Sequence, residues 1–173
     1  STMSPEVSGN YTEDDRYGWM KGTSMANSGV AGAASVTVEW YEENYGERPS
    51  PAMVRALLIN TAEPLNYDQG SETGIDHIPN KHEGWGMVDI SKLEYPKNDP
   101  IDFMLEDQES LLETGEVDEY EVHRERKGAP LNISLSWTDK EASAGDNPTL
   151  KNDLDLEVEA PNGSVYRGNS FNE

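Results

Sequence analysis

Two hydrophobic rhythms divide this chain. From Ser24 to Glu43 apolar and small residues (Met25, Ala26, Val30, Ala31, Ala33, Ala34, Val36, Val38) fall on nearly every side of a helical wheel. A helix that is apolar all round predicts burial inside a larger body. Polar and aromatic residues from Glu39 to Asn44 predict that it emerges at the surface, and Gly46 predicts its stop. A second helix carries clear start signals, with Ser50 as N-cap and Pro51 at the first helical position. Met53, Val54, Leu57, Leu58 and Thr61 give it one apolar face, and Pro64 ends it. Nothing in it suggests chemistry; it reads as packing.

The period then changes to two. Leu131, Ile133, Leu135 and Trp137 alternate with Asn132, Ser134, Ser136 and Thr138, and Leu154, Leu156 and Val158 alternate with Asp155, Glu157 and Glu159. Each run predicts a half-buried strand. Val117, Tyr120 and Val122 suggest a less regular one, and Pro161-Asn162-Gly163 predicts a turn into a returning strand at Val165 and Tyr166. Short strands joined by turns imply an antiparallel sandwich. Pro96, Asn98, Asp99 and Pro100 mark a boundary between the two regimes, in 92–101. Residues 1–20 read as an exposed polar loop, with an extended lead from Arg16 to Lys21 into the first helix.

Charge narrows the function. The sequence holds 34 acidic and 13 basic residues among 173, a formal charge of −21. Phosphates would be repelled, which disfavours nucleic-acid binding. The acid is spread along the chain, so a disordered acidic tail explains it poorly. A solvated surface on a secreted protein and adaptation to high salt both account for it. With no cysteine there is no disulfide and no thiolate metal site. No apolar run is long enough to span a bilayer, and no signal peptide is visible. A start at Ser1, running directly into a polar stretch, suits a piece of a longer protein.

Ser24 is the candidate nucleophile. It stands where a loop becomes a helix, among backbone N–H groups that lack intrahelical partners and at the positive end of the helix dipole. An oxyanion developing there would be stabilised. Serine at a helix start is also a common N-cap, and spacing alone leaves that alternative open.

Gly22-Thr23-Ser24-Met25-Ala26, followed by Val30-Ala31-Gly32, resembles the nucleophile segment of the subtilisin-like serine peptidases. The resemblance implies that Ser24 attacks the scissile carbonyl and that its own N–H is one oxyanion donor. One departure is Ser28, where the family usually has proline. Gly84-Trp85-Gly86-Met87-Val88-Asp89 resembles the segment that closes the catalytic domain, where glycines permit close backbone approach. Trp137-Thr138-Asp139, Asn152-Asp153-Leu154-Asp155-Leu156 and Pro161-Asn162-Gly163 resemble the jelly-roll domain that follows it in one branch of the family, itself similar to the P-domain of proprotein convertases.

The expected fold is therefore α/β, the C-terminal part of a subtilisin-like catalytic domain over 1–95 and mainly helical here. An incomplete all-β antiparallel jelly-roll sandwich follows over 101–173. Such an enzyme needs a histidine base and an aspartate that orients it, in the chain order Asp, His, Ser. No histidine precedes Ser24, and Asp14 and Asp15 lack the family's aspartate setting. The resemblance thus implies that the catalytic Asp, His and oxyanion Asn lie upstream, in a partner segment outside this chain, with polypeptide as substrate. His77, His82 and His123 lack the following Gly-Thr of the catalytic histidine and read as surface residues; Asp76 and Glu83 beside the first two make no recognised ligand pattern. Asp139, Asp153 and Asp155, with Asp146, Asn147 and Asn152 nearby, are hard oxygen donors suited to a structural calcium ion, though without an EF-hand pattern. Two further functions remain open. One is a non-catalytic β-sandwich binding module with a vestigial serine motif. The other is a regulatory fragment whose histidine and aspartate come from a separate chain.

Overall fold

A computed structural model of the chain describes residues 2–4, 18–65, 78–81, 83–93, 103–108, 112–123 and 131–170. Two helices lie at its centre, α1 (Thr23–Tyr45) and α2 (Pro51–Thr61). Both begin and end where local chemistry dictates. Gly46 closes α1 in the left-handed conformation (φ 77°), its N–H donating to the Glu42 carbonyl at 3.0 Å. Ser50 caps α2: its hydroxyl accepts from the Met53 N–H at 3.0 Å, with Pro51 in the first turn.

The helices pack through a small core of Tyr41, Met53, Leu57 and Leu93, bordered by Trp40, Ile90, Phe103 and Leu105. Thr37 and Thr61 are buried among these apolar groups. Each hydroxyl donates to the carbonyl one turn back, Ala33 at 3.0 Å and Leu57 at 2.9 Å, so neither is buried unpaired. Residues 103–108 alternate, with Phe103, Leu105 and Asp107 turned inward. Phe103 meets Trp40 edge to face at 5.8 Å, and Asp107 accepts the Ser50 N–H at 2.6 Å. The helical core thus takes in residues on the far side of the boundary placed at 92–101.

The glycine-flanked turn closes against the residues just beyond α2. Glu63 and Met87 exchange both backbone hydrogen bonds, each 2.8 Å. Gly86 permits this approach: its φ is +106°, and a Cβ there would lie 2.5 Å from the Glu63 carbonyl oxygen. Lys92, at the end of a single 3-10 turn (Ile90–Lys92), reaches back to Glu63 at 2.5 Å. Asp89 caps that turn; the Ser91 hydroxyl and amide it accepts hold its carboxyl below the usual carboxylate range.

Two short antiparallel pairs complete the described structure. β1 (Thr2–Ser4) pairs with β2 (Gly18–Met20), Thr2 opposite Met20. Residues 2–4 therefore depart from the loop expected over 1–20, while 18–20 form the extended lead into α1. β3 (Glu157–Glu159) pairs with β4 (Val165–Arg167) across the expected Pro161-Asn162-Gly163 turn. There the Ala160 N–H donates to the Ser164 carbonyl at 2.8 Å and Gly163 adopts φ +81°. Leu154, Leu156 and Val158 are half-buried in alternation with exposed Asp155, Glu157 and Glu159, as the pattern predicted. The 131–138 run has no strand partner among the described residues, and a jelly-roll sandwich is not seen there.

Candidate active site

Strand β2, a turn through Lys21 and Gly22, and helix α1 deliver Ser24 to the second position of the helix. The N-cap is Gly22, and no side chain caps the helix. The N-cap alternative for Ser24 is thereby removed. Its side chain is exposed, and its hydroxyl makes no hydrogen bond to the described residues. The ladder of α1 begins with the Ala26 N–H donating to the Gly22 carbonyl at 3.1 Å. The N–H groups of Thr23, Ser24 and Met25 precede that bond and have no acceptor within the helix. Among the described residues the Ser24 hydroxyl is unbonded, and it lies beside first-turn amides at the positive end of a 23-residue helix, where negative charge is favoured.

Ser28 stands one turn on, where proline is usual in the resembled family. Its hydroxyl donates to the Ser24 carbonyl at 3.1 Å, a back-bond of the kind Ser35 makes to Ala31. The departure fits the helix without disturbing its first turn.

The first half of α1 contradicts the burial expected from its composition. Ala26, Val30, Ala31, Gly32 and Val36 are exposed, Val36 at 47%. An open apolar groove of about 470 Å³ runs beside it, lined by Val30, Val54, Leu58, Ile59, Trp85 and Val88. Burial begins only at Thr37 and Tyr41.

No base or orienting carboxylate is brought to Ser24 by the described residues. His123 lies exposed, 3.5 Å from Glu121. His77, His82 and Asp76 fall outside the described residues. Glu83 is held locally: it accepts from the Leu65 backbone N–H at 2.6 Å and from the Asn80 side-chain Nδ2 at 3.1 Å.

Among the described residues no three His, Cys, Asp or Glu side chains gather as they would around a metal ion. Asp153 and Asp155 are exposed. Asp139 is committed elsewhere: it accepts from the Lys151, Lys140 and Asn152 amides and from the Asn152 side chain, all between 2.7 and 2.9 Å. The Lys151 amide, with the Asn152 and Lys140 donors, holds its carboxyl below the usual carboxylate range. Asp146 does similar work one loop away, accepting from Lys151 Nζ at 2.5 Å and the Ser143 amide at 2.9 Å. Trp137 adds a bond from its indole N–H to the Asn152 carbonyl at 3.1 Å. These acceptors pin the loop from 139 to 152. The sequence showed hard oxygen donors; the distances show that, of these, Asp139 and Asp146 accept from backbone amides of the loop.

The structure thus presents Ser24 at a strand–turn–helix junction beside the unpaired first-turn amides of α1. Comparisons with known proteins bear on the kind of protein this is. Residues 2–86 match the subtilase family. The chain is also 32% identical over 169 residues to the "Serine protease/ABC transporter B family protein tagA" of Dictyostelium discoideum. That alignment covers 87% of this chain, so it runs on past residue 86, and 9% of the relative. The chain thus spans about a tenth of that protein's length. No solved structure matches. These likenesses support the subtilase family and a subtilase-like serine protease.

Proposed function

We propose that this chain carries the nucleophile of a subtilisin-like serine endopeptidase that cleaves polypeptides. Ser24 Oγ attacks the scissile carbonyl, and the Ser24 N–H at the head of α1 donates to the oxyanion. The proton passes to a histidine that is oriented by an aspartate, both supplied by polypeptide other than the residues described here. One observation carries this reading. The Ser24 hydroxyl is exposed and, among the described residues, uncommitted, on a helix whose apolar first half lies open. A serine kept only as a packing residue would be enclosed, and a helix of this composition is stable in water only when covered. The open face is where the base-bearing part fits.

The test uses the full-length protein and the 173-residue chain side by side. In the full-length protein, Ser24→Ala removes peptide turnover and labelling by a serine-directed fluorophosphonate, a loss on the order of 10⁴-fold or more. The chain alone turns over peptide no faster than its own Ser24→Ala variant. Full-length activity that survives Ser24→Ala overturns the assignment. Ser24-dependent turnover by the chain alone overturns the claim that the base lies elsewhere.

A further inference from the structure

The 131–138 run meets α2 through its polar side. Asn60 Nδ2 donates to the Asn132 carbonyl and to Ser134 Oγ, both at 3.1 Å. Arg55 Nη1 donates to Ser136 Oγ at 3.3 Å and to the Trp137 carbonyl at 3.2 Å. The apolar positions Leu131, Ile133 and Leu135 stay 49%, 40% and 43% exposed. A half-buried strand usually turns its polar side to water. Here that side lies on a helix, and the apolar side is left for another layer.

We infer that Arg55 and Asn60 form a latch that seats the C-terminal region on the outer face of α2. The geometry fits two runs of opposite direction, since the residue nearer the helix end meets 132–134 and the nearer-start residue meets 136–137. Five helical residues rise about 7.5 Å. The extended stretch between the two contacts covers roughly 10–13 Å. The long arginine side chain makes up the difference, which a short side chain at 55 could not do.

Two features make the latch separable from folding. Arg55 is exposed and Asn60 half-buried, and neither belongs to the core of Tyr41, Met53, Leu57 and Leu93. Every acceptor is neutral, a hydroxyl or a carbonyl, in a chain whose formal charge is −21. An arginine in so acidic a protein has carboxylates to choose from; this one is spent on uncharged oxygens. The joint is therefore a polar, reversible one of the kind found between parts of one chain, and screening by salt leaves it in place. Because it uses the side that a sandwich turns outward, seating does not compete with a second layer covering Leu131, Ile133 and Leu135.

Limited proteolysis by chymotrypsin tests this, because Leu131, Leu135 and Trp137 are its cutting sites within the run. In the Arg55→Ala/Asn60→Ala variant, cleavage within 131–138 is about tenfold faster or more. Cleavage within α2, at Met53 or Leu57, keeps the parent rate. Ser134→Ala/Ser136→Ala, made from the opposite side, gives a smaller increase at the same sites, since the two carbonyl acceptors remain. The ratio of variant to parent rate is the same at about 0.1 and 1 M salt. Unaltered cleavage within 131–138 in the helix variant overturns the latch. So does an equal rise across α2, which would make Arg55 and Asn60 part of the helical core. A ratio that collapses at high salt overturns the neutral-acceptor account.

Discussion

At the scale of single residues, the structure separates groups that look alike in sequence. Asp139 and Asp155 are both carboxylates in an acidic loop region, yet only Asp139 accepts from several amides at once. Its depressed acidity has a consequence for stability. A group whose folded value lies below its unfolded one stabilises above the unfolded value, near 3.8, and loses that contribution as pH falls through the folded value. Asp146, lowered by the Lys151 ammonium and the Ser143 amide, acts in the same direction. Below about pH 4 the loop from 139 to 152 should therefore loosen. Trp137, bonded to Asn152, reports it: its fluorescence should change over this range, and Asp139→Asn should blunt the change. Gly86 gives a second prediction. An alanine there combines a left-handed φ of +106° with a methyl 2.5 Å from a carbonyl oxygen. Gly86→Ala should cost about 2 kcal/mol or more, read as a lower urea midpoint with unchanged slope.

At the scale of elements, local signals were legible and partnerships were not. Helix α2 was readable in full, because its cap at Ser50, its proline at 51 and its apolar spacing all act within a few residues. Its packing is what the apolar face foretold: Leu57, 2% exposed, fills the centre. Leu57→Ala should cost about 3 kcal/mol, measurable by denaturant unfolding. The extent of α1 was legible for the same reason, and the loop-to-helix position of Ser24 with it. The burial of α1 was not, since composition states what a helix needs and not whether a neighbour supplies it. β1 escaped notice because three residues carry no period. The inward turns of Phe103, Leu105 and Asp107 were masked by polar neighbours on both sides. For 131–138 the alternation correctly gave two faces, but no pattern of period two says which neighbour takes the polar one. The placement of Ser24 was legible because a motif at a strand–turn–helix junction is local; no such local pattern tells which distant groups, if any, would act on it.

For the whole molecule, charge and exposed apolar surface pull in opposite directions. A formal charge of −21 on 173 residues keeps copies apart but strains the compact state through self-repulsion. Raising salt from about 0.1 to 1 M shortens the screening distance from about 10 to 3 Å. The melting midpoint of the chain should rise over that range, and a flat or falling midpoint would show that charge is not the dominant global strain. The apolar column from Ala26 to Val36 works the other way once repulsion is screened. Stability should rise with salt while solubility falls, and light scattering followed through the same titration separates the two.

The pairing of β1 with β2 carries a consequence for evolution. Thr2 through Ser4 hold Met20 through Gly18 in register, so the entry to the serine turn is anchored by residues far from it in sequence. Lengthening the connection between such clasped ends costs little, about 0.6 kcal/mol for each doubling. Relatives can therefore gain or lose residues between the clasp's two halves while the hydroxyl of Ser24 keeps its place. A search that insists on fixed spacing ahead of that serine will overlook them.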